Sequence, residues 1–163
     1  MFSLEIETLA RLVVDEARQR SLRIATAESC TGGLVAGAIC AVAGASDVFE
    51  RGFITYSNRA KQEMLDVPGD LIADLGAVSE AVARMMAEGA LENSNAHLTV
   101  AITGVAGPGG GTPLKPVGTV HIATARANQA LMHKAEFFDD LGRESIQLAA
   151  VQSALQALLD RMA

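Results

Sequence analysis

Ser29 lies in the run Glu28-Ser29-Cys30-Thr31-Gly32-Gly33, between the short apolar stretch 22–27 and the alanine-rich LVAGAICAVAG that follows. The pattern reads as strand, tight turn and helix. A nucleophile at such a turn projects from the end of a sheet. The unpaired N–H groups there and the positive end of the next helix are available to stabilise an oxyanion or a phosphate. The placement resembles a nucleophile elbow, although G-x-S-x-G is not present. A second role fits the same residues, because Ser and Thr before a helix are common N-caps, and on this segment alone capping weighs at least as much as catalysis.

A hydroxyl nucleophile needs a base. The chain has only three lysines, Lys61, Lys115 and Lys134, and Lys61 follows Tyr56-Ser57-Asn58 at the end of a strand-like segment. A Ser–Lys dyad is an accepted alternative to an acid–His pair, provided that the amine pKa falls toward roughly 7–8 through desolvation or neighbouring cations such as Arg59. By position alone, a solvated surface role takes precedence for Lys61. The S-x-x-K spacing is absent, so a dyad has to be assembled in three dimensions. Cys30 competes as the nucleophile, being more reactive once ionised, but it has no evident His partner and a small buried packing role is expected of it.

The segment GVAGPGGGTPLKPVG, residues 104–118, holds six of the fifteen Gly and three of the four Pro. It opens no helix and contains no G-K-[ST], so neither a dinucleotide fingerprint nor a Walker A loop is present. It is either a binding loop, whose glycines Gly104 and Gly107 let the backbone approach a ligand, or a disordered one. Thr103 at the preceding strand end can donate a hydrogen bond. Gly142-Arg143-Glu144-Ser145 starts the last helix, where Arg143 is either an anion contact or a surface partner of Glu144 or Asp140.

These residues need elements to hold them. Ile6, Leu9, Val13 and Ala17 predict a helix over 4–19, residues 48–56 a strand, and SNRAKQEML a short helix capped by Ser57 or Asn58 and ended by Val67-Pro68-Gly69. Ser79 caps a further helix carrying Val82, Met85, Met86 and Ala90. Residues 97–103 read as a buried strand, and 117–125 with 130–138 as a hairpin. Leu148, Val151, Leu155 and Leu158 mark a long helix from about 143. Alternating helices and strands predict a single-domain α/β/α sandwich over 1–163, with a mixed, mainly parallel sheet.

Composition narrows the class. Half of the 163 residues are apolar and only 4% aromatic, which suits Ala, Val, Leu and Ile helices packed on a sheet. Thirteen scattered basic residues against nineteen acidic ones, a net charge of −6, exclude a nucleic-acid polymer or a polybasic membrane contact as the main partner. With no signal-like start and no long apolar run, a cytoplasmic location is expected. Cys30 and Cys40 suggest neither a disulfide framework nor a zinc site, and no metal is expected. His97, His121 and His133 each stand alone in strand-like stretches, where a hydrogen-bonded structural role is expected.

Taken together, Ala27-Glu28-Ser29-Cys30-Thr31-Gly32-Gly33, Gly44-Ala45-Ser46, Tyr56-Ser57 with Lys61, Gly76-Ala77-Val78-Ser79, Thr103-Gly104-Val105-Ala106-Gly107-Pro108 and Lys115-Pro116-Val117-Gly118 resemble the CinA C-terminal domain family over about 5–160. Members with assigned activity are nicotinamide-nucleotide amidohydrolases. The resemblance implies deamidation of nicotinamide mononucleotide to nicotinate mononucleotide and ammonia without a cofactor. It makes Ser29 the nucleophile and Lys61 the base, with Tyr56, Thr103 and Arg143 completing the site. Backbone N–H groups near Cys30, Thr31 and Gly32 would hold the oxyanion, and Gly33, Gly104, Gly107 and Arg143 would contribute to substrate binding. A homodimer is expected by analogy. Longer members carry an N-terminal molybdopterin-binding-like domain, whose activity and metal requirement are not expected here. Two residues depart from the pattern: Arg51 where Gly is common before Gly52, and Ala43 where Pro is common. The alternatives are a non-catalytic nucleotide-binding regulatory module and a Cys30-dependent hydrolase.

Overall fold

The computed structural model describes residues 1–163. Helix α1 (Leu4–Gln19) starts where the Ser3 hydroxyl accepts from the Ile6 N–H, and it buries Ile6, Ala10, Val13, Val14 and Ala17. Strand β1 (Ile24–Glu28) is buried at every residue, as expected of a strand covered on both faces. Helix α2 (Leu34–Cys40) follows and leads through a short 3₁₀ turn, Ala45–Asp47, to β2 (Phe49–Ile54). Ser57 caps α3 (Asn58–Leu65) by accepting from the Ala60 N–H. Ser79 caps α5 (Glu80–Glu92) in the same way, through Val82.

Between these two helices lies α4 (Gly69–Leu75), which is not among the expected elements. Pro68 does end what precedes it, but as the N-cap residue it also opens the next helix, and Ile72 anchors that turn in the core. Strand β3 (Leu98–Gly104), the antiparallel pair β4 (Thr119–Arg126) and β5 (Met132–Phe137), and helix α6 (Arg143–Met162) complete the chain.

The sheet order is β2-β1-β3-β4-β5. β1 pairs in parallel with β2 and β3, whereas β4 is antiparallel to both neighbours, so four strands share one direction and β4 opposes them. Helices α1, α2 and α6 pack on one face around Ile24, Val100, Ile102 and Leu155. Helices α3, α4 and α5 cover the other around Ala27, Ala101, Met86 and Leu65. The expected α/β/α sandwich is what forms.

Chain order positions the site. From β1 the chain crosses to β2 on one side through α2, and β3 then pairs on the other side after α3, α4 and α5. A crevice opens at the carboxyl ends of parallel strands where the order reverses in this way. Glu28 pairs with Ile54 on β2 and Ile102 on β3, so the residues just beyond those strand ends are side by side.

Candidate active site

Ser29 is the first residue beyond β1, and its N–H still donates to Ile102 O at 2.9 Å, which fixes it against β3. Lys61 comes from α3, reaching inward from the first turn. Its Nζ donates to Ser29 Oγ at 3.0 Å and to Thr55 O at 2.9 Å. The side chain is 1% exposed and makes no ion pair. Burial without a counter-charge penalises the ammonium form and pushes the lysine pKa down, with a smaller opposing pull from Cys30. The surface role that its position first suggested is therefore not the one it occupies.

Cys30 is also buried, and burial pushes its thiol up to about 12, helped by the charge of Glu28. At neutral pH the thiolate is scarce, so the nucleophile that Lys61 can activate is the serine. Gln147 on α6 donates to Cys30 O at 3.0 Å and ties the turn to the opposite layer. Nothing in the sequence marks Gln147 beyond a polar position on an otherwise amphipathic helix.

The cleft over this pair has a volume of about 280 Å³. Its wall includes Ser29, Cys30, Tyr56, Lys61, Thr103, Gly104, Gly107 and Arg143 from the sequence-derived set, together with Asn58, Ala77 and Val78, to which the sequence reading gave no ligand role. Arg143 opens α6 and spans the mouth: Nη1 donates to Gly107 O at 2.6 Å and Nη2 to Tyr56 Oη at 2.7 Å. Neither Glu144 nor Asp140 pairs with it. A guanidinium carries five N–H donors, so three remain for a ligand anion. Loop 105–118 is pinned at its far end, where Lys115 Nζ donates to Leu75 O at 2.5 Å.

Several expectations need correction. Thr103 Oγ1 donates to Ala77 O at 2.9 Å, so its proton is committed and the oxygen faces the site as an acceptor. Thr31, Gly32 and Gly33 do not line the cleft. The positive end of α2 is not open to a ligand either. The fully buried Glu28 carboxylate accepts there from Val35 N–H at 2.9 Å, Ala36 N–H at 3.0 Å and Thr31 Oγ1 at 2.7 Å. Gly32 N–H is used by Ser29 O. The N–H groups of Cys30 and Thr31 donate to no backbone carbonyl, and of the two residues only Cys30 lines the cleft, so its N–H is the one left beside the serine.

The histidines are hydrogen-bonded, as expected, but His121 and His133 do not stand alone. His97 Nδ1 accepts from Arg23 N–H at 2.9 Å, a structural role. His121 Nδ1 and His133 Nε2 lie 2.9 Å apart across β4 and β5, because their register places them diagonally on one face. Arg51, at the first departure from the family pattern, bonds Glu50 and Asn93 O and leaves the site untouched. No helix is long and apolar enough to cross a membrane.

Comparison with known proteins agrees with this fold. The chain is 51% identical to a CinA-like protein of Akkermansia muciniphila across 94% of its length, and spans only 37% of that relative. A putative competence-damage inducible protein of Caldicellulosiruptor saccharolyticus is 44% identical across 97% of the chain, which spans 38% of it. The crystal structure of the competence/damage inducible protein CihA from Agrobacterium tumefaciens superposes with a TM-score of 0.97 at 48% identity, covering 98% of this chain and 97% of that one. A CinA superfamily protein from Escherichia coli gives a TM-score of 0.90 at 37% identity, covering 97% and 90%. The CinA C-terminal domain model matches residues 6–162. With the match running through every strand and both residues of the buried dyad, the chain belongs to the CinA C-terminal domain family.

Proposed function

We propose that the chain is an amidohydrolase that converts nicotinamide mononucleotide to nicotinate mononucleotide and ammonia. The observation that carries this reading is the buried, unpaired Lys61 amine 3.0 Å from Ser29 Oγ. A non-catalytic nucleotide module has no use for a desolvated amine on a hydroxyl, and burying it costs stability.

Lys61 in its neutral form takes the Ser29 proton as Oγ adds to the carboxamide carbon. The resulting oxyanion is met by the Cys30 N–H group. Lys61 then returns the proton to the departing nitrogen, the C–N bond breaks, and ammonia leaves an ester on Ser29. Water, deprotonated by the same amine, attacks that ester. The C–O bond to serine breaks, Oγ regains a proton and the product carboxylate leaves. Arg143 and the loop carbonyls and N–H groups around Gly107 hold the ribose phosphate, since Glu28 occupies the other anion-attracting position. The same reading makes this a cytoplasmic enzyme acting as a homodimer, the dimer being checked by light scattering.

Ammonia release from nicotinamide mononucleotide by the purified protein tests the reading. Turnover abolished in Ser29→Ala and Lys61→Ala supports it; turnover surviving in Ser29→Ala refutes it.

A further inference from the structure

Glu28 stands out as a fully buried carboxylate that the proposed chemistry does not use. It immediately precedes Ser29 and ends β1, which is otherwise apolar or hydroxyl-bearing. Carboxylates are seldom buried unless their oxygens are satisfied. Both are satisfied here, and all three donors belong to the turn and helix that follow the serine. Oε1 accepts from Thr31 Oγ1 at 2.7 Å and Val35 N–H at 2.9 Å, and Oε2 accepts from Ala36 N–H at 3.0 Å.

The arrangement closes a ring. β1 holds Glu28 in the sheet, Glu28 holds the start of α2, and Ser29, Cys30 and Thr31 are the chain between the two anchors. Gly33, at φ 98°, provides the left-handed entry to α2 that an L side chain would resist. No side-chain cap is supplied by Gly33 itself, so Glu28 performs that task from seven and eight residues away.

We infer that Glu28 is a positioning residue that holds the Ser29 hydroxyl toward Lys61 and the Cys30 N–H group toward the reacting carbonyl oxygen. It touches no substrate. Both of its oxygens must accept, which Gln cannot reproduce because its NH₂ would face an N–H donor. A displacement of about 1 Å at the serine costs on the order of 10²-fold in rate. The inference rests on Ser29 being the nucleophile.

The test compares wild type, Glu28→Gln, Thr31→Val and Thr31→Ser by steady-state ammonia release from nicotinamide mononucleotide and by melting temperature. A fluorophosphonate probe, mapped to Ser29 by peptide mass, reports serine reactivity without requiring turnover of the nucleotide. Glu28→Gln is expected to lose about 10²-fold in kcat with KM within threefold, and at least tenfold in probe labelling. Thr31→Val is expected to lose about tenfold in kcat, most of it recovered by Thr31→Ser, which restores the donor to Glu28. Wild-type kcat within threefold in folded Glu28→Gln overturns the inference, as does a Thr31→Ser variant as slow as Thr31→Val. If the wild type labels at Ser29 but releases no ammonia, the substrate assignment fails. The role of Glu28 is then decided by the labelling rates, a Glu28→Gln rate within twofold of wild type overturning it.

Discussion

Lys61 Nζ lies 3.0 Å from Ser29 Oγ with no carboxylate to neutralise it, held on its other side only by Thr55 O. An ammonium in that position has lost its solvation, so burial pushes the lysine pKa down and favours, relative to a solvated lysine, the neutral amine that can accept the serine proton. The stability of this lysine and its chemical use are consequently opposed, and the opposition can be measured.

Lys61→Met keeps the volume of the side chain and removes its polar head. It is expected to stabilise the fold by roughly 1–2 kcal/mol, about 2–8 °C in Tm for a chain of this length, while lowering kcat by about 10²–10⁴-fold. Calorimetry and ammonia release on the same preparation check both. A variant that loses activity and stability together would make Lys61 a structural residue.

The depressed Lys61 pKa fixes the sign of two pH dependences. Activity rises with pH through a value below the free-lysine range of about 10.4 and then levels. For stability, the unfolded chain binds more protons than the folded one between the depressed folded pKa and about 10.4, so this group makes the fold more stable as pH rises through that window. Below it, its destabilising effect is complete. Denaturant titrations across alkaline pH should show a positive slope that is smaller in Lys61→Met.

Cys30 and Cys40 should separate cleanly under native alkylation. Cys40 is exposed and Cys30 is buried with its thiol pushed up to about 12, so iodoacetamide at neutral pH is expected to label Cys40 alone. Cys30→Ala should retain turnover within about tenfold, against a loss of at least about 10³-fold for Ser29→Ala. Equal losses in the two variants would return the cysteine to candidacy.

Helix α3, which carries Lys61, rests directly on α5 at Gly89. A Cβ there would overlap the Leu65 carbonyl oxygen, which is backbone and cannot swing aside. Gly89→Ala is therefore expected to cost about 1–3 kcal/mol and to lower kcat by displacing Lys61. Gly109→Ala, which meets nothing within 4 Å, should stay within about 0.5 kcal/mol of wild type. Thermal melts of the two variants check this.

Most of the scaffold was legible because its signals are local. Ser57 and Ser79 each cap the helix that they precede, and the β1 and β3 runs are buried throughout, or nearly so, as continuous apolar strands should be. Helix α4 was missed because a single Pro both closes and opens a helix, a distinction made by Ile72 in the core rather than by the local sequence. At the site, Ser29 could be read from its place between strand and helix. Lys61 could be named as a candidate base, but its burial could not be read, because that depends on the α3–α5 packing and on Thr55, 26 residues after the serine. The role of Glu28 was equally hidden. Its acceptor bonds run to residues three, seven and eight positions away, and a sequence with Glu before Ser gives no sign of whether the carboxylate points inward.

Arg143 is expected to act on binding more than on chemistry. Arg143→Met should raise KM for nicotinamide mononucleotide by about 10–100-fold with kcat within tenfold, and should leave the weaker hydrolysis of the phosphate-free nucleoside almost unchanged. Steady-state kinetics on both substrates reads this directly. An equal loss on the two substrates would remove the phosphate from Arg143.

The most direct test of the central claim is mass spectrometry of the enzyme quenched during turnover of nicotinamide mononucleotide, with ammonia measured in parallel. An acyl adduct of the nicotinate nucleotide mapped to Ser29 is expected in wild type, with neither adduct nor ammonia in Ser29→Ala. Ammonia released by Ser29→Ala, or an adduct mapped to Cys30, would contradict the Ser29–Lys61 mechanism.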